Sequence, residues 1–291
     1  MAKILITGGT GLVGSKLTKL LIDKNHEVVI LSRNPKNSNA FKWDVSKNYI
    51  DEKAFDNVAY IIHLAGAGIA DERWSEKRKK IIIDSRVATA NLLYEKVKAL
   101  KINLKGFISA SGSGYYGAVT RDTIFTETDK PGDDFLGEVC VQWENAAHQF
   151  KKLDVPVTIL RTGVVLSKNG GALEKMRTPI VSPLGSGKQY MPWIHIDDLC
   201  EMYLKAIDDD FTGIFNAVST EHHTSKSFSK ILAKSINRPY VGIPVPSFML
   251  KLLFGDMAII LLEGSRISAK KIEKNGYSFR FKTLKKALNN L

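Results

Sequence analysis

A glycine-rich turn between an apolar run and an amphipathic segment constrains the fold of this 291-residue chain more than any other feature. Residues 4–14 read ILITGGTGLVG, and Gly8, Gly11 and Gly14 have the spacing G-x-x-G-x-x-G. In a strand–turn–helix unit, the first such glycine permits a tight turn, the second lets the backbone approach a pyrophosphate, and the third allows close packing of the helix. The helix N-terminus also favours an anion. The motif therefore predicts a dinucleotide-binding turn, with a generic α/β turn as the alternative.

The residues after this turn support a βαβ unit. Val13, Leu17, Leu20 and Leu21 recur at helical spacing, which predicts a helix with one apolar face. A second apolar run, residues 28–31 (VVIL), follows at the distance expected for the next parallel strand.

Further apolar runs alternate with helical segments along the rest of the chain. We predict strands at residues 41–44, 58–64, 107–110, 155–161 and 214–217, and helices at residues 76–100 and 135–151. This alternation predicts an α/β fold with a doubly wound parallel sheet, of the NAD(P)-binding Rossmann type, and a small C-terminal substrate-binding lobe. We predict that the NAD(P)-binding domain spans residues 1–220, with an excursion into the substrate lobe at about 168–193, and that the lobe spans residues 221–291.

The residues after the second apolar run indicate which dinucleotide such a fold selects. An acidic residue at this point would bond the ribose 2′-hydroxyl of NAD, whereas an arginine can pair with the 2′-phosphate of NADP. The chain has Ser32 and Arg33 here. The two residues favour NADP(H) as the cofactor, and an ordinary exposed arginine is the alternative.

Composition argues against several other classes of protein. The 44% hydrophobic content is enough for a large core, and no apolar run is long enough to span a bilayer. No basic and apolar leader precedes the first strand, and Cys140 and Cys200 have neither a disulfide framework nor a metal-ligand spacing. We therefore expect a cytoplasmic protein with no bound metal and no membrane partner.

The net charge of +12 raises the question of a nucleic-acid partner. The densest basic clusters are residues 77–80 (KRKK) and residues 270–271 (KK). No nucleic-acid-binding motif accompanies them, so we favour lysines on solvated helix faces. We predict a small-molecule substrate and no nucleic acid, and the sequence gives no indication of the oligomeric state.

Several motifs resemble the extended short-chain dehydrogenase/reductase superfamily. They are residues 7–14 (TGGTGLVG), 63–66 (HLAG), 109–117 (SASGSGYYG) and 160–164 (LRTGV). Other segments resemble an atypical branch, the epimerase family proteins, which carry a C-terminal domain of unknown function: residues 73–74 (RW), 84–86 (DSR), 185–189 (GSGKQ), 192–199 (PWIHIDDL), 262–264 (LEG) and 275–277 (NGY). The similarity covers essentially the whole chain.

This resemblance implies a set of cofactor contacts. In the branch, the cofactor contacts the Ser-Arg pair after the second strand, the Leu-Ala pair after the 58–64 run and the arginine of a second Ser-Arg pair. With the glycine turn and the segment after the 155–161 run added, the predicted cofactor-binding residues are Gly8, Thr10, Gly11, Leu12, Val13, Ser32, Arg33, Leu64, Ala65, Gly66, Arg86 and Val164.

The chain departs from the superfamily at the catalytic residues. The superfamily uses Tyr-x-x-x-Lys on the helix after the SASGSGYYG segment, where the lysine lowers the pKa of the tyrosine. With Glu144 as the reference point, Leu136 and Cys140 occupy the positions of that pair, and neither supplies its chemistry. Tyr94 and Lys98 have the right spacing, but we expect them near the end of the preceding helix, at the edge of the sheet opposite the cofactor.

A proton-transfer residue therefore has to come from elsewhere. An ungapped match places Gly112 at the position of the superfamily's serine, so we predict Ser111, Ser113 and Tyr116 as the candidate catalytic residues. Further candidates near the strand ends are Tyr115, Glu138 and His195. The alternatives are packing of the tyrosines with a polar tip and a structural hydrogen bond of the histidine.

Two functions fit these observations. The first is an NADP-dependent oxidoreductase or epimerase acting on a small polar, sugar-like substrate. The second is an NADPH-binding regulatory or sensor protein that has lost catalysis. A panel of carbonyl compounds and sugar nucleotides distinguishes the two.

Overall fold

An eight-stranded sheet forms the centre of the protein, whose computed structural model describes residues 1–209 and 211–291. Along the chain the strands are β1 (Lys3–Thr7), β2 (Glu27–Ser32), β3 (Ala40–Asp44), β4 (Tyr49–Ile50), β5 (Val58–His63), β6 (Gly106–Gly112), β7 (Ile124–Phe125), β8 (Val157–Thr162), β9 (Val164–Leu166), β10 (Trp193–His195), β11 (Gly213–Ala217) and β12 (Arg266–Ile267). The helices are α1 (Leu12–Asp23), α2 (Glu76–Ala99), α3 (Phe135–His148), α4 (Ala172–Met176), α5 (Ile196–Asp208), α6 (Ser225–Ser235), α7 (Ser247–Phe254), α8 (Ile259–Leu262), α9 (Lys270–Lys274) and α10 (Leu284–Asn289).

The order of the strands confirms the predicted doubly wound sheet. The order is β11-β8-β6-β5-β1-β2-β3-β4, and neighbouring strands are parallel except for β3 and β4. The chain moves outward from β1 through β2 and β3, then returns to the other side of β1 through β5. Ligands of open α/β sheets bind at such a switch point, at the carboxyl ends of the strands.

Apolar side chains cover both faces of the sheet, which is why the strands read as continuous apolar runs. In β1, Ile4 and Ile6 lie in the same apolar cluster as Leu17 of α1. Leu5 points to the opposite face, where it belongs to a second cluster with Leu93 of α2. The glycine turn therefore joins a strand and a helix that are both anchored by fully buried apolar side chains.

Most predicted boundaries lie within about two residues of the observed ones, which is the usual uncertainty of helix and strand ends. The helix predicted over residues 135–151 is an α-helix up to His148 and continues as a 3-10 helix, Gln149–Leu153. The short strands β4, β7, β9, β10 and β12 were not predicted, because two or three residues carry no readable period.

The region after β11 packs against the excursion between β9 and β10. Phe228 of α6 and Leu284 of α10 share one apolar cluster with Leu173 and Trp193. The backbone of Val181 also pairs with the segment that leads into α7. The division into a domain of residues 1–220 and a substrate lobe of residues 221–291 stays a prediction. Among the described residues, no helix is long and apolar enough to cross a membrane.

Candidate functional site

The glycine turn folds as a compact loop between β1 and α1. Gly8 has a positive φ of 70°, and the N–H of Gly11 donates a hydrogen bond to the carbonyl of Gly8 at 3.0 Å. A Cβ atom at Gly14 would lie 2.2 Å from the same carbonyl oxygen, and one at Gly8 would lie 2.9 Å from the carbonyl of Leu64. Gly8 and Gly14 are therefore required by the turn itself, whereas a Cβ at Gly11 would lie 3.3 Å from the carbonyl oxygen of Gly8, which is tight but not a clash.

The N-terminus of α1 differs from those of the other long helices. Side chains cap α2, α3, α5 and α6, through Ser75, Asp134, His195 and Thr224 respectively. Gly11 at the N-cap of α1 offers no side-chain cap, and no acidic residue lies in the first turn. Within the described residues, neither the N-cap nor the first turn therefore supplies a side chain that neutralises the positive end of this helix.

The loop after β5 lies directly against the glycine turn. The Leu64 N–H donates to the carbonyl of Thr7, and the Ala65 N–H donates to the Thr7 hydroxyl, both at 3.2 Å. The Ala67 N–H donates to the hydroxyl of Ser85 on α2 at 2.8 Å. The structure thus brings together Gly8, Leu64, Ala65 and Gly66, four of the predicted cofactor-binding residues.

Arg86 enters this region from α2 as a buried cation. A Cβ at Gly66 would lie 3.0 Å from the guanidinium carbon of Arg86, which itself lies 4.9 Å from the ring centre of Trp143. Nη1 donates to the carbonyl of Ile82 at 2.8 Å, but Nε has no partner and no carboxylate pairs with the group in the described part of the chain. Burial lowers the pKa of Arg86 to about 10, so the group is still charged at neutral pH. A buried cation without a counter-ion marks a place for an anion.

A buried histidine, His63, holds the indole ring of Trp143, which lies against the guanidinium of Arg86. Trp143 Nε1 donates to His63 Nδ1 at 3.2 Å, and His63 Nε2 lies 2.9 Å from the hydroxyl of Thr89. Since the indole can only donate, Nε2 carries the proton of the imidazole and donates to Thr89. Burial lowers the pKa of His63 to about 3, which keeps the ring neutral. Sequence reasoning missed the roles of His63 and Trp143, because 80 residues separate them.

The carboxyl end of β2 brings Ser32 and Arg33 to the same edge of the sheet. The Ser32 hydroxyl accepts a hydrogen bond from the Asn34 N–H at 3.1 Å, and Arg33 is exposed. Lys42 of β3 donates through Nζ to the carbonyl of Arg33. Sequence reasoning also missed Lys42, because only the pairing of β2 with β3 brings it here.

Two of the three predicted catalytic residues lie in a buried polar network. The Ser111 hydroxyl donates to Glu144 at 2.7 Å, and the Tyr116 hydroxyl donates to Asn216 at 2.6 Å. Arg161 forms a two-pronged ion pair with Glu144 at 2.8 and 2.9 Å and donates to Tyr116 at 3.1 Å. Burial raises the pKa of Tyr116 to about 12, which opposes its ionisation at neutral pH. The network ties β6, α3, β8 and β11 together.

Ser113 occupies a different environment from Ser111 and Tyr116. It is half-buried at the start of a 3-10 helix, Ser113–Tyr116, and its hydroxyl has no hydrogen-bond partner among the described residues. Of the three predicted candidates it is therefore the one with a hydroxyl free to meet a substrate.

Helix α3 packs Leu136 and Cys140, the two residues that the sequence comparison predicts at the positions of the superfamily's catalytic pair, against the end of β6. Cys140 Sγ lies 3.6 Å from the carbonyl oxygen of Gly112, and a Cβ at Gly114 would lie 3.2 Å from the Cβ of Leu136. Burial raises the pKa of Cys140 to about 11, so the thiol is neutral. The side chains at this point are thus an alkyl group and a neutral thiol.

The other candidates are spread around the same edge. The ring centre of Tyr115 lies 3.2 Å from the guanidinium carbon of Arg161, and exposed Glu138 accepts a hydrogen bond from Gln142 at 3.0 Å. His195 is buried, stacks on Phe281 and accepts the Asp197 N–H at 3.1 Å, as a helix cap would.

Val164, the last predicted cofactor contact, lies on β9 beside Trp193. The loop after β9 reaches Leu12 of the glycine turn through Gly171.

The basic cluster at residues 77–80 pairs largely with acidic side chains of its own region. Arg78 pairs with Glu72 at 3.3 Å, Lys79 with Glu76 at 2.9 Å and Lys80 with Asp84 at 2.6 Å. Lys77 and Lys80 are exposed, as expected for lysines on a solvated helix face, whereas Arg78 is buried and also donates to the carbonyl of Gly68 at 2.7 Å. In residues 1–209 and 211–291, no group of three or more His, Cys, Asp or Glu side chains is placed to hold a metal ion.

The sheet, its switch point and the glycine turn define a Rossmann-type α/β protein. The NAD dependent epimerase/dehydratase family matches residues 4–217, and the Domain of unknown function (DUF1731) matches residues 245–291. The chain therefore belongs to the NAD dependent epimerase/dehydratase family.

Relatives and solved structures agree with this assignment. "Epimerase family protein SAR0825" of Staphylococcus aureus (strain MRSA252) is 34% identical over 302 residues, which cover 100% of this chain and 99% of the relative. The crystal structure of the human epimerase family protein SDR39U1 (isoform2) with NADPH has a TM-score of 0.88 at 30% identity, covering 99% of this chain and 98% of that one. The crystal structure of the nucleoside-diphosphate sugar epimerase from Corynebacterium glutamicum has a TM-score of 0.79 at 30% identity, covering 99% of this chain and 57% of that one. The predicted resemblance to epimerase family proteins is confirmed.

Proposed function

We propose that this chain binds NADP(H) at the switch point of its sheet and acts as an oxidoreductase or epimerase on a small polar, sugar-like substrate. The observation that carries the proposal is the buried guanidinium of Arg86, which has no counter-ion among the described residues and borders the loop that contacts the glycine turn. Burying a cation in this way is costly unless an anion completes the site.

The residues present fit a dinucleotide. The uncapped N-terminus of α1 and the Arg86 cation offer two positive groups for a pyrophosphate. Gly11 leaves the backbone of the turn open, while Ala65 and Gly66 give small surfaces after β5 on which adenosine can lie. When bound, the nicotinamide supplies or accepts a hydride, and the chain has to orient it and move a proton.

Selection of NADP(H) over NAD(H) is assigned to Ser32 and Arg33. Both lie at the carboxyl end of β2, and Arg33 has no ion-pair partner among the described residues. A guanidinium in this position forms charge-assisted hydrogen bonds to a 2′-phosphate. The human relative whose crystal structure contains NADPH supports the same choice.

Proton transfer is assigned to the end of β6, with Ser113 as the leading group. The usual Tyr-x-x-x-Lys pair is replaced here by Leu136 and Cys140, so generic carbonyl reduction is expected to be very weak. Loss of a general acid or base typically costs on the order of 10² to 10⁴ in rate.

A second candidate function is that of an NADPH-binding regulatory or sensor protein without turnover. The close packing of Leu136 and Cys140 against Gly112 and Gly114 favours it, because an alkyl group and a neutral thiol occupy the catalytic positions. For either function we propose a cytoplasmic location without membrane or nucleic-acid partners. The free, buried thiols of the two cysteines and the acid-paired cations of α2 support this.

Calorimetric titration of the purified chain with NADPH and NADH tests the cofactor. NADPH is expected to bind at least several-fold more tightly, and Arg33→Ala is expected to weaken NADPH more than NADH. Equal losses for both cofactors would remove the argument. NADPH oxidation across a panel of carbonyl compounds and sugar nucleotides then decides between enzyme and sensor, since a sensor binds without oxidation.

A further inference from the structure

We infer that Lys42 is a second cation of the adenosine 2′-phosphate site and a determinant of cofactor selectivity. The inference rests on the proposed NADP(H) binding and extends it to a residue outside the glycine turn and outside the Ser32–Arg33 pair. Lys42 acts in two ways: its charge attracts the 2′-phosphate, and its hydrogen bond fixes the backbone that presents Arg33.

The register of the sheet places Lys42 beside Ser32. Strands β2 and β3 are parallel, and Lys42 is the direct partner of Ser32, two residues after the pair formed by Ile30 and Ala40. Both residues therefore lie in the last pair of this ladder, at the carboxyl edge where the glycine turn also lies.

Alternation along the strands places the two side chains on the face of the glycine turn. Ile30 and Ala40 belong to the apolar cluster on the α1 face of the sheet, and a Cβ at Gly9 would lie 2.9 Å from the Ile30 side chain. Side chains two residues apart in a strand share a face, so Ser32 and Lys42 share this one. By contrast, Trp43 is buried on the opposite face.

The local contacts leave both cations without an acidic partner. Nζ of Lys42 donates to the carbonyl of Arg33, which places its ammonium beside the residue predicted from its position after β2 to bind the 2′-phosphate. No carboxylate forms an ion pair with Lys42 or Arg33 in the described parts of the chain, and Asp44 at the end of β3 accepts hydrogen bonds from Ser46 instead.

Two neighbouring cations repel each other unless an anion lies between them. A phosphate monoester carries a charge of about −1.5 to −2 at neutral pH and accepts several hydrogen bonds. One such phosphate can therefore bind both cations. The 2′-hydroxyl of NADH is uncharged, so it does not compensate for the repulsion between them. The structure thus predicts that Lys42 contributes to the binding of NADPH and not to that of NADH.

Cofactor titrations of four proteins test this inference: the wild type, Lys42→Gln, Lys42→Arg and the matched control Lys47→Gln. Lys47 is an exposed lysine just after β3 that does not contact Arg33. The Lys47→Gln substitution therefore removes the same charge without removing that contact. Lys42→Gln is expected to weaken NADPH about fivefold and leave NADH unchanged, an effect in the range of exposed charge-assisted contacts. Lys42→Arg should retain most of the affinity, and the salt dependence of NADPH binding should decrease in Lys42→Gln alone.

The outcomes separate this inference from the function on which it rests. A wild type that binds NADPH and NADH equally would overturn the proposed cofactor selectivity and the role of Lys42 with it. A selective wild type in which Lys42→Gln behaves like Lys47→Gln would overturn the role of Lys42 alone. Thermal melting of each variant verifies that the fold is intact, which we expect because Lys42 is exposed.

Discussion

The carboxylate of Asp198, in the first turn of α5, accepts a hydrogen bond from the hydroxyl of Tyr277 at 2.9 Å, across 79 residues of sequence. The same carboxylate accepts the N–H groups of Arg280 at 2.8 Å and Phe281 at 3.0 Å. Asp198 is 1% exposed, so these donors replace the water that an ionised carboxylate would otherwise bind. One buried side chain thus fastens the C-terminal segment to the helix that packs on the Rossmann sheet.

The first prediction concerns the stability that this contact provides. Asp198→Asn turns one acceptor oxygen into a donor that faces a backbone N–H, so the free energy of unfolding should fall by about 2–3 kcal/mol. Urea denaturation followed by fluorescence measures the change. The control is Asp197→Asn, whose partly exposed carboxylate pairs with Lys16 at 2.8 Å and whose loss should cost less than about 1 kcal/mol. Equal costs at the two positions would contradict the role given to Asp198.

The second prediction separates cofactor binding from folding in the glycine turn. Gly11 has a φ of −77°, which any residue adopts, and a Cβ there would lie 3.3 Å from the carbonyl oxygen of Gly8, a tight contact that a small shift of the turn relieves. Gly11→Val should therefore fold and fail to bind NADPH, because the side chain blocks the pyrophosphate. Gly14→Val should instead lower the melting temperature, because its Cβ would clash with Gly8. Calorimetry that finds wild-type NADPH affinity in Gly11→Val would place the cofactor elsewhere.

The third prediction is a loss of stability in acid that depends on His63. Burial lowers the pKa of His63 from 6.5 to about 3, so below pH 6.5 the unfolded chain binds more protons than the folded one. The contribution is fully present above pH 6.5 and is lost as the pH falls towards 3, by about 2 kcal/mol at pH 5. His63→Gln removes the titrating group, so its stability should change less between pH 7.5 and pH 5. Because His148 and His195 titrate in both proteins, the difference between their urea midpoints isolates His63. Parallel pH profiles would refute the assignment.

The fourth prediction distinguishes catalysis from packing at the end of β6. For any substrate that the panel identifies, Ser113→Ala should reduce kcat by about 10²- to 10⁴-fold with unchanged NADPH affinity. Ser111→Ala and Tyr116→Phe should mainly lower the melting temperature, because each breaks a buried hydrogen bond to Glu144 or Asn216. Brisk turnover in the triple variant Ser111→Ala/Ser113→Ala/Tyr116→Phe would move the search to Glu138 or His195.

The parts of the site that were predictable are those that local backbone geometry specifies. Gly8 and Gly14 stand where the turn has a positive φ or no room for a Cβ, and these requirements can be read from their spacing. The apolar runs around them are buried on both faces, which identifies parallel strands in an α/β sheet. Ser32 and Arg33 were predictable because they follow one of those strands directly.

Tertiary structure alone decided the contacts between distant segments. Lys42 reaches Arg33 through strand register, and a shift of one residue would have turned it to the other face. Ser111 is predicted as a catalytic hydroxyl from its motif, and only the folded chain shows that it donates to Glu144, the ion-pair partner of Arg161. Short motifs report the conformation of neighbouring residues. Partners on different strands and helices, such as Arg33 and Lys42 nine residues apart or Ser111 and Glu144 33 residues apart, are instead selected by packing of the whole core, about which a single motif carries no information.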